Sequence, residues 1–191
     1  MQDISAIDKA SILVEALPYI KRFHGKTVVI KYGGNAMLSE ELKEGVLKDV
    51  VLMQLVGMRP VLVHGGGPDI NSVMEQMRMK VEFVNGQRVT DENVMEVVEM
   101  VLTGKVNSSI VKYINQNGGS AVGLSGADAN LLLAHKQRAR IPTPDGGQQM
   151  MDLGLVGEVE SVNVDLLNSL LDQGYIPVIS PVAVDRKGES L

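Results

Sequence analysis

Pro60-Val61-Leu62-Val63-His64-Gly65-Gly66-Gly67-Pro68 is the stretch on which the fold of this chain turns. Val61, Leu62 and Val63 form a short apolar run of the kind found in strands buried on both faces. Three glycines break the run, and Pro68 then stands at the first helical position, which proline favours. The spacing predicts a helix from about Pro68 to Met79. The same grammar occurs one unit upstream. Thr27-Val28-Val29-Ile30-Lys31 reads as a second strand buried on both faces, Gly33-Gly34 end it, and a helix follows from about Ser39 to Leu55. Strand, glycine loop and helix in alternation imply an α/β fold built on a parallel sheet.

Further outward, Val81-Glu82-Phe83-Val84 and Gln87-Arg88-Val89-Thr90 flank Asn85-Gly86, the strongest short hairpin signal. Asp91 is placed to cap a helix reaching about Leu102, and Gly104 reads as a break before another that ends near Asn117-Gly118-Gly119. Strands are expected at Ala121 to Leu124, at Leu131-Leu132-Leu133 and at Ile176-Pro177-Val178-Ile179-Ser180. Ile141 to Gln149 reads as a loop or hairpin tip, and Val164 to Leu171 as a helix. In front of the first strand, Ile7, Ala10, Val14 and Leu17 recur at helical spacing, with Asp3 or Ser5 as cap and Pro18 predicted to kink or divide the helix. This helix has no sequence neighbour on its N-terminal side, so its apolar face packs on its own domain or on another subunit. At the other end, Asp185-Arg186-Lys187-Gly188 is a good turn with only three residues after it, so the chain reads as the front part of a longer protein. No internal repeat or low-complexity tract is found.

Composition narrows the function. The 191 residues carry 18 Lys and Arg against 23 Asp and Glu, a net charge of −5, which disfavours nucleic acid as a partner. With no cysteine there is no disulfide, thiolate metal site or cysteine nucleophile, and three scattered histidines make no metal site. No apolar run spans a bilayer and no secretory signal is visible, so a soluble, cytoplasmic protein is expected.

The two glycine junctions, Gly33-Gly34 and Gly65-Gly66-Gly67, lie where strands give way to helices. There backbone N–H groups approach an anion at the positive end of a helix, although tight turns alone also use glycine. Neither junction spells a P-loop or a dinucleotide fingerprint. Lys31, ending its strand beside the first junction, either reaches solvent or neutralises a transferred phosphoryl group. Arg88 is either a solvated hairpin residue or a fork for a carboxylate. His64 reads as a packed or hydrogen-bonded residue at the strand end, not a catalytic one. Asp128 is either a polar ligand or a turn residue, and the eleven methionines read as core filling.

Lys31-Tyr32-Gly33-Gly34-Asn35-Ala36-Met37, His64-Gly65-Gly66-Gly67-Pro68 and Asn85-Gly86-Gln87-Arg88-Val89-Thr90-Asp91, in that order, resemble the acetylglutamate kinases of the amino acid kinase family. Ala121-Val122-Gly123-Leu124-Ser125-Gly126 and Gly174-Tyr175-Ile176-Pro177-Val178-Ile179 match the same pattern. The Arg88 motif is the one most specific to this branch. The resemblance implies a three-layer α/β/α sandwich with a mainly parallel central sheet. Residues 1–25 would be a kinked helix for oligomerisation and 26–191 the acceptor-binding domain, with the C-terminal nucleotide-binding part absent. It implies ATP-dependent phosphorylation, with Mg2+, of the γ-carboxylate of N-acetyl-L-glutamate in arginine biosynthesis. Lys31 would stabilise the transferring phosphoryl group, Gly66, Gly67 and Arg88 would hold the acceptor, and Gly33, Gly34 and Gly65 would lie on the phosphates. The fragment alone would be inactive. A homodimer or hexamer is implied, with L-arginine as a feedback inhibitor and Tyr19 as the local contributor to its site. Two other readings stand beside this one: a kinase of an aminoadipate derivative in lysine synthesis, and a non-catalytic small-anion sensor.

Overall fold

A computed structural model describes residues 4–37, 39–142 and 148–191. Parts of the predicted loop at Ile141 to Gln149 lie outside the described residues, as does the cap candidate Asp3.

Four parallel strands form the central sheet: β1 (Thr27–Tyr32), β2 (Arg59–His64), β5 (Ala121–Ser125) and β8 (Ile176–Ser180), in the order β1-β2-β8-β5. Helices α2 (Glu40–Leu55), α3 (Gly67–Gln76), α4 (Glu92–Glu99) and α5 (Asn107–Gln116) cover one face. Helix α6 (Val164–Asp172) covers part of the other. The layering follows from the period of two along a strand. Leu62 and Val178, which are register partners, point into the larger core, whereas Val61 and Ile179 point towards Leu171 of α6. This is the expected α/β/α arrangement.

Local chemistry sets the helix starts. Ser39 Oγ accepts from Leu42 N–H and Asp91 Oδ1 from Val94 N–H at 2.8 Å, satisfying amides that have no acceptor within their helices. Ser5 caps α1 (Ala6–Phe23), which continues through Pro18. No helix among the described residues is long and apolar enough to cross a membrane.

Four expectations need correction. β1 is buried on one face only. It is an edge strand, α6 lies over its neighbours, and Val29 is 68% exposed. Gly104 does not separate two helices: Met100–Val106 is a π-helical segment that carries α4 into α5 without a break. The strand at Leu131-Leu132-Leu133 is the start of β6 (Leu132–Pro142), which pairs with an unforeseen strand, β7 (Gln148–Val162), in a long antiparallel ribbon. Ile141 pairs with Gln149 and Pro142 with Gln148, so the stretch from Ile141 to Gln149 is the tip end of this hairpin, in keeping with one of its two readings. Finally, the three residues after Gly188 suffice as the second arm of the terminal hairpin. Ala183 and Leu191 exchange two backbone hydrogen bonds of 3.0 Å.

The ribbon docks where the shorter hairpin of β3 (Phe83–Val84) and β4 (Gln87–Arg88) ends. Thr90 N–H donates to Leu153 O and Leu155 N–H to Thr90 O, at 2.8 and 2.7 Å. Gly154 lies between them at φ +80°, and a Cβ there would stand 2.1 Å from Thr90 O. Gly154→Ala therefore combines a left-handed backbone with a clash against main chain. The expected cost is about 2–3 kcal/mol, seen as a fall of about 5 °C or more in thermal midpoint. An unchanged midpoint would show that the ribbon does not need this close approach.

Candidate functional site

Both glycine junctions emerge at the carboxyl ends of adjacent parallel strands, where open α/β folds bind ligands. Lys31 pairs with Val63 and Tyr32 with His64 in the β1–β2 register. Gly65 N–H then donates to Tyr32 O at 2.8 Å, and a Cβ on Gly33 would lie 3.9 Å from Gly65 N. Hence Gly33, Gly34, Gly65, Gly66 and Gly67, separate in sequence, share one end of the sheet. Gly34 has φ +60°, a conformation that favours glycine. Gly66 is the N-cap of α3 and sits against the π-helical segment, where a Cβ would meet Leu102 at 2.6 Å and Val106 at 3.2 Å. That close seat is a steric reason for glycine independent of any ligand.

Lys31 is exposed, on the same side of β1 as Val29. It has no ion-pair partner among the described residues. Tyr32, on the opposite side, is buried. Burial, with the Glu40 carboxylate adding, pushes its phenol up to about 12 and keeps it neutral.

The β3–β4 hairpin turns at Asn85 and Gly86, both with positive φ, as the two-residue turn predicts. Its register sets Phe83 opposite Arg88, and the guanidinium lies 4.7 Å from the ring centroid. Arg88 reaches α3: Nη2 donates to Asn71 Oδ1 at 2.5 Å and Nη1 to Met74 Sδ at 3.3 Å. Asn71 stands about one turn past Gly67, so Arg88 joins the glycine loops through α3. Burial holds its pKa below the usual arginine value. A half-buried cation whose partners among the described residues are all neutral is costly until an anion completes it. Two other cations at this end are already matched, Lys43 by Glu40 and Lys105 by Asp69. These last four side chains and Tyr32 border a cleft of about 340 Å³.

His64 is 1% exposed and fully hydrogen-bonded, in keeping with the packed role its position implies. Asp128 is a turn residue, its Oδ2 accepting from Ser125 N–H at 2.8 Å. The sequence gives little sign of Asn107. It is buried at the start of α5, and its amide donates to Val178 O at 2.9 Å. An Asn directly after a predicted break reads as loop polarity. The only available signal is its place three residues past Gly104.

A model of the amino acid kinase family matches residues 26–191. The chain is 56% identical over 183 residues to the acetylglutamate kinase of Carboxydothermus hydrogenoformans, an alignment that covers 96% of this chain and 62% of that protein. It is 53% identical over 190 residues to the acetylglutamate kinase of Methanocaldococcus jannaschii, covering 100% of this chain and 63% of that protein. The chain thus spans less than two thirds of the length of these relatives. Among solved structures, the smu.665 protein of Streptococcus mutans UA159 superposes with a TM-score of 0.70 at 28% identity, over 86% of this chain and 62% of that one. The N-acetylglutamate synthase of Neisseria gonorrhoeae, solved with coenzyme A and N-acetyl-glutamate, gives a TM-score of 0.74 at 23% identity, over 98% of this chain and 40% of that one. At that identity the likeness is one of fold.

Proposed function

This chain belongs to the amino acid kinase family, and from that premise we propose that it is the acceptor-binding part of an acetylglutamate kinase. The protein would transfer the γ-phosphoryl group of ATP to the γ-carboxylate of N-acetyl-L-glutamate, a step of arginine biosynthesis. The observation that carries the reading is Arg88: a half-buried guanidinium, anchored to α3 by neutral partners, two of whose five donors are used among the described residues. A substrate carboxylate is the complementary ligand. The relatives' name supplies the acceptor.

The chemistry asks for placement more than for acid–base catalysis. A carboxylate is already a nucleophile at neutral pH, so the protein must align it and neutralise charge on the moving phosphoryl group. In this reading Arg88 with the N–H groups of Gly66 and Gly67 holds the acceptor. Gly33, Gly34 and Gly65 face the phosphates, and Lys31 supplies the positive charge. Magnesium would enter with the nucleotide. The described residues contain no cluster of acidic and histidine side chains that would hold it.

Acceptor preference is the test. The complete protein that carries this chain is expected to phosphorylate N-acetyl-L-glutamate and to reject plain glutamate. Preference for an aminoadipate derivative would move it to the lysine branch, and ligand binding without turnover would make it a sensor.

The leading helix points to assembly. None of the residues of α1 is buried, and Ile7, Leu13, Val14 and Leu17 are 56–78% exposed. Such an apolar face suits a second copy of the chain, as in a homodimer or hexamer, with L-arginine as a feedback inhibitor near Tyr19. Deleting residues 1–25 is expected to lower the mass seen by light scattering and to abolish inhibition by L-arginine. An intact protein that L-arginine does not inhibit would refute the regulatory half.

A further inference from the structure

The Gly65–Gly66 peptide is held from within the protein. His64 Nδ1 lies 2.9 Å from Gly65 O, and Nε2 lies 3.1 Å from Asn107 Nδ2. A carbonyl oxygen only accepts, so Nδ1 carries the hydrogen and Nε2 accepts from the Asn107 amide. Only the neutral Nδ1–H tautomer satisfies both bonds. Burial, which holds the imidazole below its ordinary pKa, agrees with that form. Asn107 is itself fixed, because the same amide donates to Val178 O in the middle of β8. A chain of hydrogen bonds therefore runs from the central sheet through Asn107 and His64 to one carbonyl of the glycine loop.

The direction of that carbonyl has a consequence. No described peptide is cis, and across a trans peptide the C=O and the next N–H point in opposite directions. With Gly65 O drawn to buried His64, Gly66 N–H faces away from the interior. As the N-cap of α3, Gly66 presents this amide at the helix's positive end, where it has no intrahelical acceptor. Leu102 and Val106, packed against Gly66, block an inward shift of the loop. Two apolar side chains would fill the space of His64 and Asn107 without the cost of burying polar groups, but nothing would then fix the peptide plane.

We infer that His64 is a positioning residue for the acceptor: its Nδ1–H, in the tautomer set by Asn107, locks the Gly65–Gly66 peptide so that Gly66 N–H is aimed at the substrate carboxylate. The inference rests on the acceptor-site reading above. Two substitutions separate it from a packing role. In His64→Asn the amide nitrogen falls where Nδ1 stands and keeps the donor; in His64→Gln it falls near Nε2 and loses it. Titration of the complete protein with N-acetyl-L-glutamate is expected to show His64→Gln about tenfold weaker than wild type, with KM for ATP unchanged. His64→Asn should stay within about threefold of wild type. Equal affinities in all three proteins, or equal losses in both variants, would overturn the inference while leaving the functional reading intact. Failure of the wild type to bind N-acetyl-L-glutamate would overturn both. If His64→Gln does not fold, the wild-type Gly66 amide resonance decides: it should shift on adding N-acetyl-L-glutamate, and no shift overturns the inference.

Discussion

Lys31→Met is expected to lower kcat for N-acetyl-L-glutamate phosphorylation by about 10²–10³-fold and to leave KM for the acceptor within about threefold. Lys31 is the last residue but one of β1, close to both glycine junctions, and is exposed, without an ion pair among the described residues. A charge placed in this way does little for the fold, and its removal should not move the thermal midpoint. Its work would come when negative charge spreads over the oxygens of the phosphoryl group in transit, and an interaction made mainly in the transition state appears in kcat. Met keeps the length and apolar stem of the lysine and removes the charge. Steady-state rates of the complete protein, measured over a range of both substrates, read the split directly. A fall confined to KM would make Lys31 a binding residue, and an unchanged kcat would remove it from the mechanism.

Arg88→Ala should act on the other parameter. A charge-assisted, bidentate contact to a carboxylate is worth about 1.5–3 kcal/mol, so the acceptor should bind roughly 10–150-fold more weakly. Arg88→Lys should rescue little. Lysine presents a point charge without the planar fork, and the guanidinium's contacts to Asn71 and the Phe83 ring would be lost with it. Calorimetric titration with N-acetyl-L-glutamate, with plain glutamate as control, is the measurement. Binding by Arg88→Ala equal to wild type would leave the half-buried cation without its proposed ligand and would remove the main support for the acceptor site.

The parts of this chain that were legible in sequence are those written by adjacent residues. Val61-Leu62-Val63 followed by three glycines and Pro68 specifies strand, loop and helix within nine positions, and Asn85-Gly86 specifies its own turn through positive φ. Caps are equally local: Ser39 and Asp91 each bond an amide three residues on. Of the β6–β7 ribbon, the start at Leu131-Leu132-Leu133 and the loop or hairpin tip were legible, but its length and the strand β7 were not. The ribbon stands outside the main sheet, Lys136-Gln137-Arg138 is polar without alternation, and only isolated positions such as Ala134 and Leu153 are buried, so a period of two is weakly written. Nor was the π-helical segment legible, because Gly104 looks like a helix end unless the packing that carries the helix through it is known.

The candidate site divides along the same line. Sequence by itself determined the residue types: two glycine-rich strand ends, a lysine beside one of them, an arginine just past a tight turn, and no cysteine. Each is a property of a few neighbouring residues. Tertiary structure alone decided that the two loops leave adjacent strands, that Arg88 is held against α3 by Asn71, and that Gly66 is seated against Leu102 and Val106. It also decided that His64 is tied to Asn107, 43 residues away in the chain. Such contacts depend on strand order and on how helices pack over the sheet, and a local pattern carries no information about which distant partner will be there.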